Sequence, residues 1–256
     1  MRLLFLGDIV GRPARKLLGE RLKKIIREEK LDFVIANAEN SASGSGITRK
    51  VAQELFDCGI DVLTLGDHAY RKKDIFSALN ALNIVRPLNI SRRAVGRGYF
   101  IKEHNGVRIA IVNLIGRVFM GPSDNPFDAI EQILPLLKEQ TNIIIVDFHA
   151  EATSEKKAMG SFLAEKVTAV LGTHTHVPTA DETILKSCTA YITDVGMCGS
   201  CDSIIGRRKE PIIEHFTTGM PSKFDLAEGD VRLQGVILEV DKNTGRSISI
   251  KRVEYT

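Results

Sequence analysis

The chain has 256 residues, with 35 Lys and Arg against 32 Asp and Glu, a formal charge of +3, and no Trp. A balance this close to neutral gives no electrostatic case for a dedicated nucleic-acid or membrane-surface binder. The opening apolar run is broken at Gly7-Asp8, and the longest aliphatic run is Ile143 to Val146, too short for a signal core or a bilayer span; with only four Cys, a cytoplasmic protein with reduced thiols is expected.

Short apolar runs alternate with helix-period segments, the pattern of an α/β fold. Arg2 to Leu6 reads as a buried strand, followed by Leu18, Leu22, Ile25 and Ile26 on a helical face that runs to Lys30. Phe33 to Asn37 repeats the strand signal and leads into Glu39-Asn40. Val51, Leu55 and Cys58 mark a second helix, with Thr48 as its N-cap. Val62 to Leu65 is a third strand, leading into Gly66-Asp67-His68, and a helix is expected around Lys73 to Leu82. Tyr99 to Lys102 and Val107 to Asn113 flank Asn105-Gly106, a strong hairpin signal. Asn125-Pro126 reads as an N-cap with Pro at the first helical position, ahead of Ile130, Ile133, Leu134 and Leu137. Asn142 to Phe148 is the most apolar strand candidate and ends at His149. Ala169 to Gly172 leads to His174 and His176, and Ala190 to Thr193 is another short run. Val231 to Val240 and Ser247 to Val253 form a second hairpin around Asn243-Thr244-Gly245. No linker, repeat or low-complexity tract interrupts the series, so one domain over 1–256 is expected.

Strand-like runs lead into Asp8, Glu39, Asp67, His149, and the pair His174 and His176. In an open α/β sheet ligands bind beyond the carboxyl ends of the strands, so residues scattered in sequence converge there in space. Three imidazoles and three carboxylates are N and O donors without a thiolate. They are too many for one tetrahedral ion, which points to two ions sharing a carboxylate bridge. Such pairs clamp the attacking and leaving oxygens of a displacement on phosphorus. An acid after Gly is also ordinary turn chemistry, but two imidazoles at i and i+2 straight after Leu171-Gly172 are harder to explain structurally.

Gly7-Asp8, Asn37-Ala-Glu39-Asn40, Gly66-Asp67-His68, Asp147-Phe-His149-Ala-Glu151-Ala-Thr153 and Gly172-Thr-His174-Thr-His176 resemble, in order, the metal motifs of the calcineurin-like metallophosphoesterases, and more narrowly their YmdB-like branch. Asp194-Val-Gly196-Met197 and Asp202-Ser-Ile-Ile-Gly206 extend the likeness over nearly the whole chain. The resemblance implies a sandwich of two mixed β-sheets flanked by helices, four layers in αββα order, with a dinuclear centre at one end. Carried over by position, Asp8, Asn40 and His176 would hold one ion, Glu39 would bridge, and Asp67, His149 and His174 would complete the second. The two ions would be divalent or trivalent, Fe or Mn first and Zn or Co next, with a bridging hydroxide as nucleophile. His68 would be the general acid for the leaving oxygen; its structural alternative is to orient a neighbouring ligand. The implied activity is a phosphodiesterase acting on 2′,3′-cyclic or 3′,5′-cyclic nucleotides in a self-associating cytoplasmic protein. A phosphomonoesterase or an RNA phosphodiesterase on the same core is the alternative within the class, although net charge gives no indication of RNA.

One departure stands out. The superfamily's Gly-Asn-His is here Gly-Asp67-His68, which adds a negative charge and removes an amide donor. That opens a further alternative, a catalytically weak regulatory protein that binds metal or nucleotide. No substrate-binding residue can be assigned: Arg117, Arg207 and Arg208 are candidates for phosphate but equally solvated charges, and Ser41 to Gly46 matches no phosphate-loop pattern. Cys198-Gly-Ser-Cys201 has redox or zinc spacing, with a chance pair of thiols as the plainer reading.

Overall fold

Side chains alternate along each strand between two faces, and this alternation decides which layer each one enters. In the structure, a computed structural model describing residues 1–256, a first sheet is ordered β2 (Asp8–Ile9), β12 (Met197–Ser200), β13 (Val231–Val240), β1 (Arg2–Leu6), β3 (Phe33–Asn37), β4 (Val62–Thr64) and β5 (Ile84–Val85), with β14 (Ser247–Tyr255) paired to β13. A second sheet is ordered β10 (Thr183–Leu185), β11 (Thr189–Ile192), β9 (Ala169–Thr173), β8 (Ile143–His149), β7 (Val107–Ile115) and β6 (Tyr99–His104). Both are mixed: β1, β3, β4 and β5 run parallel, as do β7, β8, β9 and β11, and antiparallel strands flank each set.

On the first sheet Leu4, Leu6, Val34 and Leu63 pack against α1 (Gly11–Glu28) and α2 (Arg49–Asp57) through Leu18, Leu22, Val51 and Leu55. The alternate residues Leu3, Phe5, Phe33, Ile35 and Val62 face Ile109, Ile111, Ile143 and Ile145 of the second sheet. The other face of that sheet, with Ala110, Val112, Ile144 and Val146, packs against α3 (Pro126–Lys138) and α4 (Thr153–Leu163) through Ile130, Leu134, Met159 and Leu163. The order is helix, sheet, sheet, helix, as the resemblance implies, and α5 (Lys209–Thr218) is a fifth helix that buries only Ile212. No helix is long and apolar enough to cross a membrane.

Local signals account for several boundaries. Thr48 accepts from the Val51 amide at 3.2 Å and Asn125 from the Phe127 amide at 3.0 Å, capping α2 and α3. Asn105 and Gly106 have φ of 50° and 75°, the two positive values that a two-residue hairpin turn needs. The helix expected over Lys73 to Leu82 is only a 3₁₀ turn at Lys73–Ser77, after which the chain enters β5. Asn83-Ile84 must reach the sheet to pair with β4, and that pairing overrides the local helical pattern.

Candidate metal centre

The core between the sheets ends in polar side chains. Along the inward face of β3 the series Phe33, Ile35 turns to Asn37; along β4, Val62 turns to Thr64; along β8, Ile143 and Ile145 turn to Asp147 and His149; along β9, Ala169 and Leu171 turn to Thr173. Every one of these polar groups is fully buried and sits at the carboxyl end of its strand. Burial there requires complete hydrogen bonding, and the groups satisfy one another. Asp147 accepts from Thr173 Oγ1 at 2.6 Å, Thr64 Oγ1 at 2.5 Å and Asn37 Nδ2 at 3.1 Å. Burial still pushes the Asp147 carboxyl up to about 6, against the pull of His149 and the two threonines.

Beyond this floor the predicted site residues converge. Glu39 lies at the centre: its Oε1 is 3.2 Å from His149 Nε2, 3.3 Å from His68 Nδ1 and 3.4 Å from Asn40 Nδ2. On one side, Glu39, Asp67, His149 and His174 each bring a donor atom within 4.8 Å of the others. On the other side, Asp8 Oδ1 is 3.5 Å from His176 Nε2 and 3.4 Å from Asn40 Nδ2. Asp8 does not close β1 in a plain turn; it opens the two-residue strand β2, paired with Met197, which buries its carboxylate completely.

Each imidazole is oriented from behind, and this fixes which nitrogen faces the cluster. His149 Nδ1 lies 2.9 Å from Thr173 Oγ1, whose own hydrogen goes to Asp147, so Nδ1 donates and Nε2 is the nitrogen that faces the cluster. His174 Nε2 faces Glu151 at 3.2 Å, leaving Nδ1 inward. His176 Nδ1 donates to the Ile205 carbonyl at 3.0 Å, leaving Nε2 inward. His149 Nε2 and His174 Nδ1 thus meet at 3.0 Å beside two carboxylates, an arrangement that calls for a cation or protons. This donor set of imidazole nitrogens and carboxylate oxygens fits a metal ion.

The electrostatics agree. Burial alone would raise the Glu39 and Asp8 carboxyls, but His149 beside the first and His176 beside the second pull both below the usual range. Asp67 is likewise held low against burial by hydrogen bonds from His149 and His174. His149 and His176 are raised by the same carboxylates against burial. His68 is raised first by its bond to Glu39.

The amide of Asn40 turns its oxygen to His68 Nδ1 at 2.8 Å and its nitrogen toward Asp8, Glu39 and His176. Holding a cation there requires the amide turned over, so that the carbonyl faces inward. Gly66 has no room for a side chain: a Cβ would strike His149 and Glu39. His174 and His176 adopt φ of 99° and 64°, a costly conformation for residues with a Cβ. Thr175 between them is tied down at both its amide and its hydroxyl by Asp194 Oδ2, at 3.0 and 2.7 Å.

Other candidates sort differently. Arg207 donates to the carbonyls of Phe224 and Gly44, so its guanidinium clamps the Ser41 to Gly46 loop. Arg208 faces Glu210 at 3.7 Å, and the Arg117 backbone amide is held by Glu155. Cys198 and Cys201 are both free; the first is fully buried, which pushes its thiol far up, away from thiolate chemistry. The residues missed in sequence are the supports, Thr64, Thr173, Lys156 and Ile205. The first two break an apolar period-2 face, a signal that was available.

Known proteins resemble this chain over nearly its whole length. The family model described as "YmdB-like protein" matches residues 4–253. The 2′,3′-cyclic-nucleotide 2′-phosphodiesterase of Bacillus subtilis (strain 168) is 43% identical over 254 residues, covering 99% of this chain and 96% of that protein. A crystal structure of a protein from Thermus thermophilus superposes with a TM-score of 0.94 at 40% identity, covering 100% of this chain and 99% of that one. Haemophilus influenzae NAD nucleotidase gives a TM-score of 0.57 at 15% identity, where this chain corresponds to 56% of that protein, a likeness of fold alone.

Proposed function

The chain belongs to the YmdB-like family, and we propose that it is a metal-dependent phosphodiesterase of one metallophosphoesterase domain that opens cyclic nucleotides, 2′,3′-cyclic or 3′,5′-cyclic. The observation that carries the reading is the set of three imidazoles, each turned inward by a partner behind it, around carboxylates at the shared carboxyl ends of two sheets. The relative from Bacillus subtilis favours the 2′,3′ class.

Asp8, Asn40 and His176 would hold one ion and Asp67, His149 and His174 a second, with Glu39 shared. Bound there, the ions would polarise the phosphoryl oxygens and acidify a water. The mixed donor set suits Fe or Mn, and accommodates Zn or Co. The protein's own part is orientation and proton delivery. Asp147 through Thr173 fixes His149, and Glu151 fixes His174. As water adds to phosphorus and gives up a proton to solvent, the bond to one ribose oxygen breaks and His68 gives that oxygen its proton, regaining one from solvent afterwards. His68 is suited to this because Glu39 holds its Nδ1 side at 3.3 Å while a quarter of the side chain stays open to solvent (26%).

Metal per chain, measured on protein purified without chelator or histidine tag, is expected to be near two. A value near zero after reloading with Mn or Fe would overturn the reading, and a value near one would overturn the dinuclear assignment. A panel of cyclic nucleotides, aryl phosphates and short RNA then tests the substrate class, with turnover confined to aryl monophosphates or RNA counting against it.

Asp67 is aimed at His149 Nε2 from 3.2 Å and at His174 Nδ1 from 3.5 Å, the place of a ligand. Asp67→Asn therefore exchanges a charged donor for a neutral one and is expected to lose metal faster on dialysis against a chelator. A large gain of activity with unchanged metal retention would instead favour a regulatory protein that Asp67 keeps weakly active.

A further inference from the structure

Away from the metal centre, a cleft of about 1040 Å³ opens between α3 and the edge strand β6, closed at one end by the 86–98 segment. Arg86, Arg92 and Arg97 all line it, and every hydrogen-bond partner of their guanidinium groups is neutral. Arg86 donates to the Pro87 carbonyl at 2.7 Å and the Ala94 carbonyl at 3.4 Å. Arg92 reaches across to Gln132 Oε1 at 2.8 Å, and Arg97 binds the Asn80 carbonyl and lies over the Phe100 ring at 4.9 Å. The two acids on the walls, Asp124 and Asp128, are exposed at the start of α3 and pair with none of the three.

Arg86 is the telling member. It is only 5% exposed, its terminal nitrogens reach only the Pro87, Leu88 and Ala94 carbonyls, and its Nε, itself buried, has no partner, so its charge meets no counter-charge in the protein. A buried charge is normally paired, because removing it from water without a counter-charge is costly. Burial accordingly pulls the Arg86 pKa below its ordinary value. Beside that buried charge, the more accessible guanidinium groups of Arg92 and Arg97 line the same cleft with planar donor forks of the kind that match phosphate oxygens. The cleft is also large for a bare anion, and its floor carries Leu88, Tyr99 and Ile133 as apolar surface for a flat ring.

We infer that this cleft is a second binding site, for a nucleoside monophosphate, in which the guanidinium groups of Arg92 and Arg97 take the phosphate beside the buried charge of Arg86 and the apolar lining takes the base. Asn89 joins the site to the metal centre: its side chain exchanges hydrogen bonds with both backbone groups of Ile115, at 2.9 and 2.8 Å, and Ile115 pairs with His149 across β7 and β8. Asn89 thus links a wall of the cleft to the strand end beside a cluster imidazole.

The test is calorimetric titration of the metal-loaded protein with 5′-AMP and, separately, with inorganic phosphate. The expected result is a 5′-AMP binding event that Arg92→Ala/Arg97→Ala weakens at least tenfold, with kcat/KM on a cyclic nucleotide unchanged and phosphate binding at least tenfold weaker than 5′-AMP. Both substitutions fall on residues outside the core, so the variant tests binding even where Arg86→Gln fails to fold. No 5′-AMP binding event that responds to the double substitution would overturn the site. Phosphate binding there as tightly as 5′-AMP would overturn the nucleotide assignment. Neither result bears on the metal centre, whose reading rests on metal content and turnover.

Discussion

Replacing His68 by Ala is expected to lower kcat on a cyclic nucleotide by about 10²- to 10⁴-fold, the usual worth of a positioned general acid, while metal per chain stays at the wild-type value. The geometry separates the two readouts. His68 touches Glu39, Asn40 and Asp67 with its side chain, at 3.3, 2.8 and 3.4 Å. Glu39, however, keeps His149, Asn40 and the His68 backbone amide as partners when the ring is removed. The backbone bond at 2.9 Å survives any side-chain substitution at this position, so the bridging carboxylate stays in place.

A proton donor also leaves a signature that a merely structural residue would not. A ribose alkoxide is a poor leaving group and needs protonation, whereas a nitrophenolate leaves without it. The loss in His68→Ala should therefore be large on cyclic nucleotides and small on an aryl phosphodiester. Equal losses on both substrates, or a fall in metal content, would show that His68 orients the cluster and delivers no proton.

Much of this was legible because each strand carries its own evidence. Phe33, Ile35 and Asn37, or Ile143, Ile145, Asp147 and His149, show the period-2 face and the point where it stops being apolar. The ligand candidates follow from that rule plus the crevice at the strand ends. What escaped is what depends on partners far away in sequence. Helix α4 places Lys156 among Met159, Gly160 and Leu163, all buried, and a buried Lys makes the helix look non-amphipathic until Asp194 is seen opposite it. β5 has two residues and β12 contains Gly199 in its Met197–Ser200 span, so neither shows an apolar run of strand length. For α5, most apolar residues are exposed, including Ile213 and Phe216, so no buried stripe marked it. The role of Ile205, accepting from His176, is a backbone carbonyl's and has no side-chain signal at all.

Lys156 and Asp194 carry the other large effect. The pair is fully buried, with side chains 1% and 0% exposed and Nζ to Oδ2 at 2.7 Å. Breaking such a pair leaves one charge unmatched in the core, at a cost of about 3–5 kcal/mol. Lys156→Met and Asp194→Ala should each lower Tm by about 6 to 20 °C for a chain of this size. The two differ in what else they remove. Asp194 also accepts from the Gly196 amide at 2.9 Å and from both groups of Thr175, and Thr175 sits between two histidines at positive φ. Residues held in that region cost about 1–3 kcal/mol each and persist only where the surroundings over-determine them; Asp194 is the tie on Thr175 here, beside Asp8 on the His174 amide and the Ile205 carbonyl on His176. Lys156→Met/Asp194→Leu, which removes both charges and keeps apolar volume, should recover a good part of the lost stability, because no charge is left unpaired. It should not recover metal content, because Thr175 is no longer fixed and His174 and His176 relax toward ordinary backbone angles. Denaturation monitored alongside metal per chain reads both. Full metal retention in Asp194→Ala would mean that the two imidazoles hold their places without this support, and an unchanged Tm in either single variant would mean that the pair is not the buried tie its geometry describes.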